Sequence, residues 1–183
     1  MNVKTLVLIA LFAAIASVIS MFKILSFKIV PSVYFLQYDP KDIIIGLSGI
    51  MFGPFAVVAT SLISSTVEFL TSSTTGFIGF VMDALSSIAF GLLPAFLCLK
   101  KKGLFRLITA FILGVASMTI VMTAFDIIIA VPLFFDMARK LSWDTFGTGL
   151  IIFNLIKGAL NATFVILLFK VMSRFTKQIK SGL

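Results

Sequence analysis

Six apolar stretches separated by short polar breaks run through the chain, at about residues 5–22, 43–52, 55–70, 77–99, 107–131 and 149–169. They are apolar on nearly every face, and most reach the roughly 18 residues that mark a membrane-crossing helix. The breaks have identifiable causes. Pro31, Tyr34, Gln37, Tyr38 and Pro40 interrupt 24–41, and Gly53-Pro54 parts the second stretch from the third. Residues 71–76 read Thr-Ser-Ser-Thr-Thr-Gly, a turn, and Lys100-Lys101-Lys102 closes the fourth stretch. Pro132 follows the fifth, and Gly147-Thr148-Gly149 precedes the sixth. The pattern predicts an all-α integral membrane protein, with six transmembrane helices in one domain spanning residues 1–183.

Composition agrees: 60% of the 183 residues are hydrophobic, 12% are charged, and the mean hydropathy is +1.19. The formal charge of +8 sits in Lys/Arg clusters at helix ends, so it reports membrane topology and not nucleic-acid binding. The clusters at 100–106 and 170–180 fall on one side in an alternating count, and Lys4 joins them. By the positive-inside rule, that side and both termini are expected in the cytoplasm of the cell membrane. Residues 24–41, 71–76 and 134–147 are then outside. The absence of histidine and the single cysteine remove His-based catalysis, His metal sites and disulfides. Met1-Asn2-Val3-Lys4 leads into a long span with no A-x-A pattern, so the first helix is expected to be retained.

The candidate chemistry is the charge inside the spans. Asn154, Lys157 and Asn161 share one stripe of the last helix, at offsets of three and seven. An ammonium buried there needs a partner or water, or must snorkel to the interface. Glu68, Asp83 and Asp126 fall in the same leaflet in this topology, whereas the inner halves of these spans are nearly all Leu, Ile, Val, Phe and Ala. Such groups are tolerable if they converge on each other or on a wet cavity, which predicts a polar pocket open to the outside. The aromatic loop before Tyr38 is expected to cover it, and an apolar-walled pocket of this kind suits a small heteroaromatic ligand. Two plainer readings stay open here: Asp126 and Lys157 as a structural ion pair, and Glu68 hydrated at the lipid interface. Asp83 and Asp126 could also be a protease-like carboxylate dyad, but neither follows Gly-x-Gly and a lysine lies nearby.

Ala10, Ala13, Ala14 and Ser17 give the first helix a small-residue face for a neighbouring helix. Asp39-Pro40-Lys41-Asp42 reads as the cap of the second helix. The chain has no G-x-x-x-x-G-K-[ST] loop and no matching halves with paired broken helices. A one-sided pocket without an engine suggests a binding subunit that needs a partner, and a free-standing facilitator is the alternative.

The whole chain resembles the substrate-binding S components of energy-coupling factor (ECF) vitamin transporters, in the riboflavin and hydroxymethylpyrimidine/pyridoxine group. The matching pieces are Ala10-x-x-x-Ala14, Tyr38-Asp39-Pro40-Lys41-Asp42-Ile43, Phe52-Gly53-Pro54, Phe125-Asp126 with Pro132 six residues on, and Phe153-Asn154-Leu155-Ile156-Lys157-Gly158. Val67-Glu68-Phe69-Leu70-Thr71 and Gly76-Phe77-Ile78-Gly79-Phe80-Val81-Met82 look more like the hydroxymethylpyrimidine/pyridoxine branch. The resemblance implies a six-helix subunit, without cofactor or catalysis of its own, docked on a transmembrane coupling protein and two ATPase subunits. It assigns the small-residue face of the first helix to the coupling protein. It also implies ligand hydrogen bonds from Asn154, Lys157 and Asp126, with Asp83, Glu68, Asn161 and Tyr38 as further candidates. Asp126 stands where the riboflavin pattern has Asn, and Asp83 where many relatives of the second branch do. Both changes favour a ligand with an amine or ring N–H over riboflavin.

Overall fold

The computed structural model describes residues 3–22, 26–72, 75–99, 103–136 and 138–181, with side chains up to Ser173. The Lys100–Lys102 cluster and the side chains of Arg174, Lys177 and Lys180, on which the predicted orientation leans, lie outside these residues. Seven helices follow in order: α1 Val3–Met21, α2 Lys41–Phe52, α3 Pro54–Thr71, α4 Gly76–Leu97, α5 Leu104–Phe125, α6 Val131–Phe135 and α7 Arg139–Ser181. A π-helical turn, Asp126–Ala130, joins α5 to α6, and a one-turn 3-10 helix, Pro31–Val33, lies between α1 and α2. Among the described residues the extended backbone is limited to one isolated bridge, Phe27 with Tyr38. Tyr38 N–H donates to Phe27 C=O across it at 2.8 Å.

Among the described residues, five stretches are long and apolar enough to cross a membrane: Val3–Met21, Pro54–Thr71, Gly76–Leu97, Leu104–Phe135 and Arg139–Ser173. The remaining predicted span, the second at 43–52, corresponds to α2, whose 12 residues rise only about 18 Å against a hydrocarbon core of about 30 Å. It is the central strut of the bundle, packing on α1, α3, α4 and α7. Gly46, Ser48 and Gly49 are what let it sit there. A Cβ on Gly49 would come within 2.4 Å of Val57, so only hydrogen fits between α2 and α3. Gly53, at φ +93°, makes the tight turn between these two helices, a backbone angle that side-chain-bearing residues avoid.

Two predicted boundaries move. Pro132 does not end the fifth span. Its missing N–H falls just beyond the π-helical turn, which absorbs the lost hydrogen bond, and the helix runs on to Phe135. Asp136 then stops it in the left-handed conformation. The Gly147-Thr148-Gly149 break is no break: α7 begins at Arg139 and passes straight through, with Trp143 packed against Gly147. Most of the predicted outer loop 134–147 is therefore helix, and Lys157 sits mid-helix.

Two apolar cores bracket the middle of the bundle. The larger joins α2, α4, α5 and α7 through Leu47, Phe90, Phe111, Met118 and Val165. The smaller clamps the connection after α1 onto α7, where Val33 packs with Ile127, Val131, Phe146, Leu150 and Phe153. Rings of Phe35, Phe135 and Phe146 meet there at centroid distances of 5.2–5.5 Å.

Candidate functional site

Between these cores lies a cavity of about 380 Å³. Phe35, Phe69, Phe80, Phe134, Phe135 and Phe153 supply its rings, and Ser65, Glu68, Asp83, Ser86, Asp126, Asn154 and Lys157 supply its polar atoms. Every long helix except α1 contributes, and Phe35, Leu36 and Gln37 reach in from the connection before α2. Of the seven residues singled out from sequence, Glu68, Asp83, Asp126, Asn154 and Lys157 line this one space. Asn161 and Tyr38 sit a layer away, joined to each other by a 2.8 Å hydrogen bond in which the Tyr38 hydroxyl donates.

The ion pairs differ from those the sequence suggested. Lys157 does not pair with Asp126. Its ammonium lies 3.0 Å from Asp42 Oδ2 and donates to Ser86 Oγ at 3.1 Å. Asp42 is fully buried and also accepts from Ser87 at Oδ1, while Asn161 Nδ2 approaches the same Oδ2 at 3.4 Å. Glu68, only partly buried, is paired as well. Its carboxylate lies 2.6 Å from Lys41 Nζ, and Lys41 also binds Asp83, which accepts from Ser65 at 2.5 Å. Ser20 on α1 reaches both Glu68 and Asp39, the latter at 3.0 Å. The buried Lys41 thus ties α2 to α3 and α4, and Asp42 ties it to α4 and α7.

Asp126 is the exception. It is buried, and neither carboxylate oxygen has a hydrogen-bond partner among the described residues. Asn154 spends one amide hydrogen on the Leu150 carbonyl at 3.0 Å, which fixes its rotamer at the cavity wall. At the edge of the site, burial pushes the Tyr38 hydroxyl up to about 12, with Asp42 and Asp39 adding to the shift. Burial also raises Asp39, partly offset by Lys41.

Lys41 and Asp42 are the functional-site residues that sequence reasoning treated only as a cap. Pro40 occupies the cap position, Asp39 beside it accepts from the Lys41 backbone N–H at 3.0 Å as a cap would, and the Lys41 and Asp42 side chains turn into the bundle. The available signal was their position: two charges opening a helix too short to span must lie inside the protein. The small-residue face of α1 splits. Ala13 and Ser17 are buried against the bundle, whereas Ala10 and Ala14 stay on the outer side.

Comparison with known proteins matches residues 4–169 to the family described as "ECF transporter, substrate-specific component". The chain is 26% identical over 190 residues to the riboflavin transporter FmnP of Bacillus subtilis (strain 168), covering 100% of this chain and 98% of that protein. It is also similar to the solved S component of a bacterial ECF transporter, with a TM-score of 0.79 and 28% identity. That match covers 95% of this chain and 98% of the other.

Proposed function

The chain belongs to the ECF transporter substrate-specific component family, and from that premise we propose that it is the vitamin-binding subunit of an ECF-type transporter. In this reading the fold crosses the membrane six times, with α2 as the short sixth crossing. Both termini are cytoplasmic in a bacterial cell membrane, and the cavity opens outward. A transmembrane coupling protein and two ATPase subunits supply the energy, because no nucleotide site is legible in this sequence. Exposed Ala10 and Ala14 on α1 are the approach surface for the coupling protein.

The ligand is a small heteroaromatic vitamin or precursor of the hydroxymethylpyrimidine/pyridoxine type. The observation that supports this is Asp126, a buried carboxylate on the cavity wall whose oxygens have no hydrogen-bond partner among the described residues. Buried acceptors of this kind are strongly unfavourable until a donor arrives. A ring N–H or amine on the ligand supplies it, while Asn154 and Lys157 face the ligand's acceptors and the phenylalanines stack on its faces. Asp83 contributes less to this choice than its sequence position suggested, because Lys41 and Ser65 already engage it.

Riboflavin is the second reading, favoured by the full-length similarity to a riboflavin transporter and by a cavity of about 380 Å³, roomy for a single ring. The test is uptake into proteoliposomes carrying this chain with an ECF coupling module. ATP-dependent accumulation of labelled pyridoxine or aminopyrimidine, with none of riboflavin, is the expected outcome. Accumulation of riboflavin alone would move the assignment to the second reading. Accumulation without ATP or partners would make the chain a facilitator.

A further inference from the structure

We infer that the cavity takes its ligand through a positively charged edge, a protonated ring nitrogen or an ammonium, seated against Asp126. The inference rests on the proposed vitamin site and adds the charge of what fills it.

The first ground is the distribution of charge. Five carboxylates, of Asp39, Asp42, Glu68, Asp83 and Asp126, meet in and around the cavity with two ammonium groups, of Lys41 and Lys157. Lys41 is shared by Glu68 and Asp83, with Asp39 4.0 Å away. Lys157 is held by Asp42 and Ser86. Neither cation forms an ion pair with Asp126, whose two oxygens are buried on the cavity wall without a hydrogen-bond partner among the described residues. A neutral N–H would satisfy one lone pair and bring no counter-charge. A cation satisfies both, as when a carboxylate partners the pyridinium nitrogen of a pyridine cofactor.

The second ground is the wall itself. Phe35, Phe69, Phe80 and Phe153 line the cavity with aromatic rings, which make no hydrogen bonds. Aromatic faces attract a cation most when water is excluded, so the same wall that stacks a flat ring also favours a charged one. An anion meets the opposite: Glu68 and Asp83 line the space, and the lysines nearby are already paired. The ligand class is therefore a hydroxypyridine protonated on the ring, or a ring bearing an aminomethyl group, and not a phosphorylated vitamin.

Calorimetry on the full chain in nanodiscs, near pH 7, tests this with pyridoxamine, pyridoxine, riboflavin and riboflavin 5′-phosphate. The wild type should bind pyridoxamine at least about tenfold tighter than riboflavin, with no binding of the phosphate ester. Asp126→Asn keeps the shape and removes the charge, and should narrow that gap by roughly 10- to 150-fold. Riboflavin bound tightest, or a gap that survives Asp126→Asn, would overturn the inference and leave the vitamin-binding reading standing. Failure of all four to bind would contradict both. Should the variant not fold, the order of affinities in the wild type decides alone.

Discussion

The ammonium of Lys157, midway along α7, lies 3.0 Å from the carboxylate of Asp42 in the first turn of α2. Both side chains are nearly inaccessible to solvent. This contact fastens the central strut to the longest helix and holds a cation at the cavity wall. Breaking a buried pair by removing one member typically costs about 3–5 kcal/mol, since the survivor is stranded, whereas removing both is far milder. Asp42→Asn and Lys157→Met should each lower the thermal midpoint of the detergent-solubilised protein by several degrees. The double variant should recover much of the loss. Additive losses in the double variant would mean that the pair is not coupled.

Lys41 is the more exposed to disruption, because three carboxylates converge on it. Lys41→Met should reduce folded yield more severely than Lys157→Met. Adding Asp83→Asn to it should restore part of the yield, as one repelling charge is removed. Size-exclusion profiles of the membrane-extracted protein give the readout. A Lys41→Met variant that behaves like wild type would contradict the assigned network.

Tyr38 donates to Asn161, and Asn161 in turn approaches Asp42, so Tyr38→Phe loosens the outer end of the Lys157 support. The loss of one hydrogen bond should cost about 1 kcal/mol. With its folded pKa pushed up to about 12 from 10.0, Tyr38 stabilises the fold fully below pH 10, and this contribution fades as pH rises through 12. Phenolate absorbance offers the check, because the chain has two tyrosines. At about pH 10.5 the folded wild type and Tyr38→Phe should give nearly equal phenolate signals. A signal clearly larger in the wild type would show Tyr38 ionising freely.

The two sides of α1 should respond differently to bulk. Ala13 is 1% exposed and Ala14 faces away from the bundle. Ala13→Trp should prevent folding. Ala14→Trp should leave ligand affinity within about threefold and sharply reduce ATP-dependent uptake with the coupling module, by holding a partner helix at a distance. Normal uptake by Ala14→Trp would remove α1 from the docking surface.

How much of this was legible beforehand depends on the range of the interactions. The apolar runs located every long helix, because bilayer-length stretches announce themselves without tertiary context. The gathering of Glu68, Asp83, Asp126, Asn154 and Lys157 followed from topology alone, since charges stranded in one leaflet have few places to go. Pairing was not legible. Asp126 and Asp42 are equally acceptable partners for Lys157 on paper, and only the inward turn of α2 decides for Asp42. The same applies to Lys41, hidden in what looks like an ordinary helix cap. Gly147 and Pro132 misled in the usual way: membrane helices carry glycine and proline when neighbours or a π-helical turn satisfy the backbone.

The central claim is that the cavity beside Asp126 binds a small heteroaromatic vitamin. Native mass spectrometry of the protein purified from cells supplied with a vitamin mixture tests it most directly. One adduct of vitamin mass is expected at one per chain, released on activation and identified as a heteroaromatic. That adduct should be lost in Lys157→Met. A spectrum with only lipid adducts, or a vitamin adduct that persists unchanged in Lys157→Met, would contradict the claim.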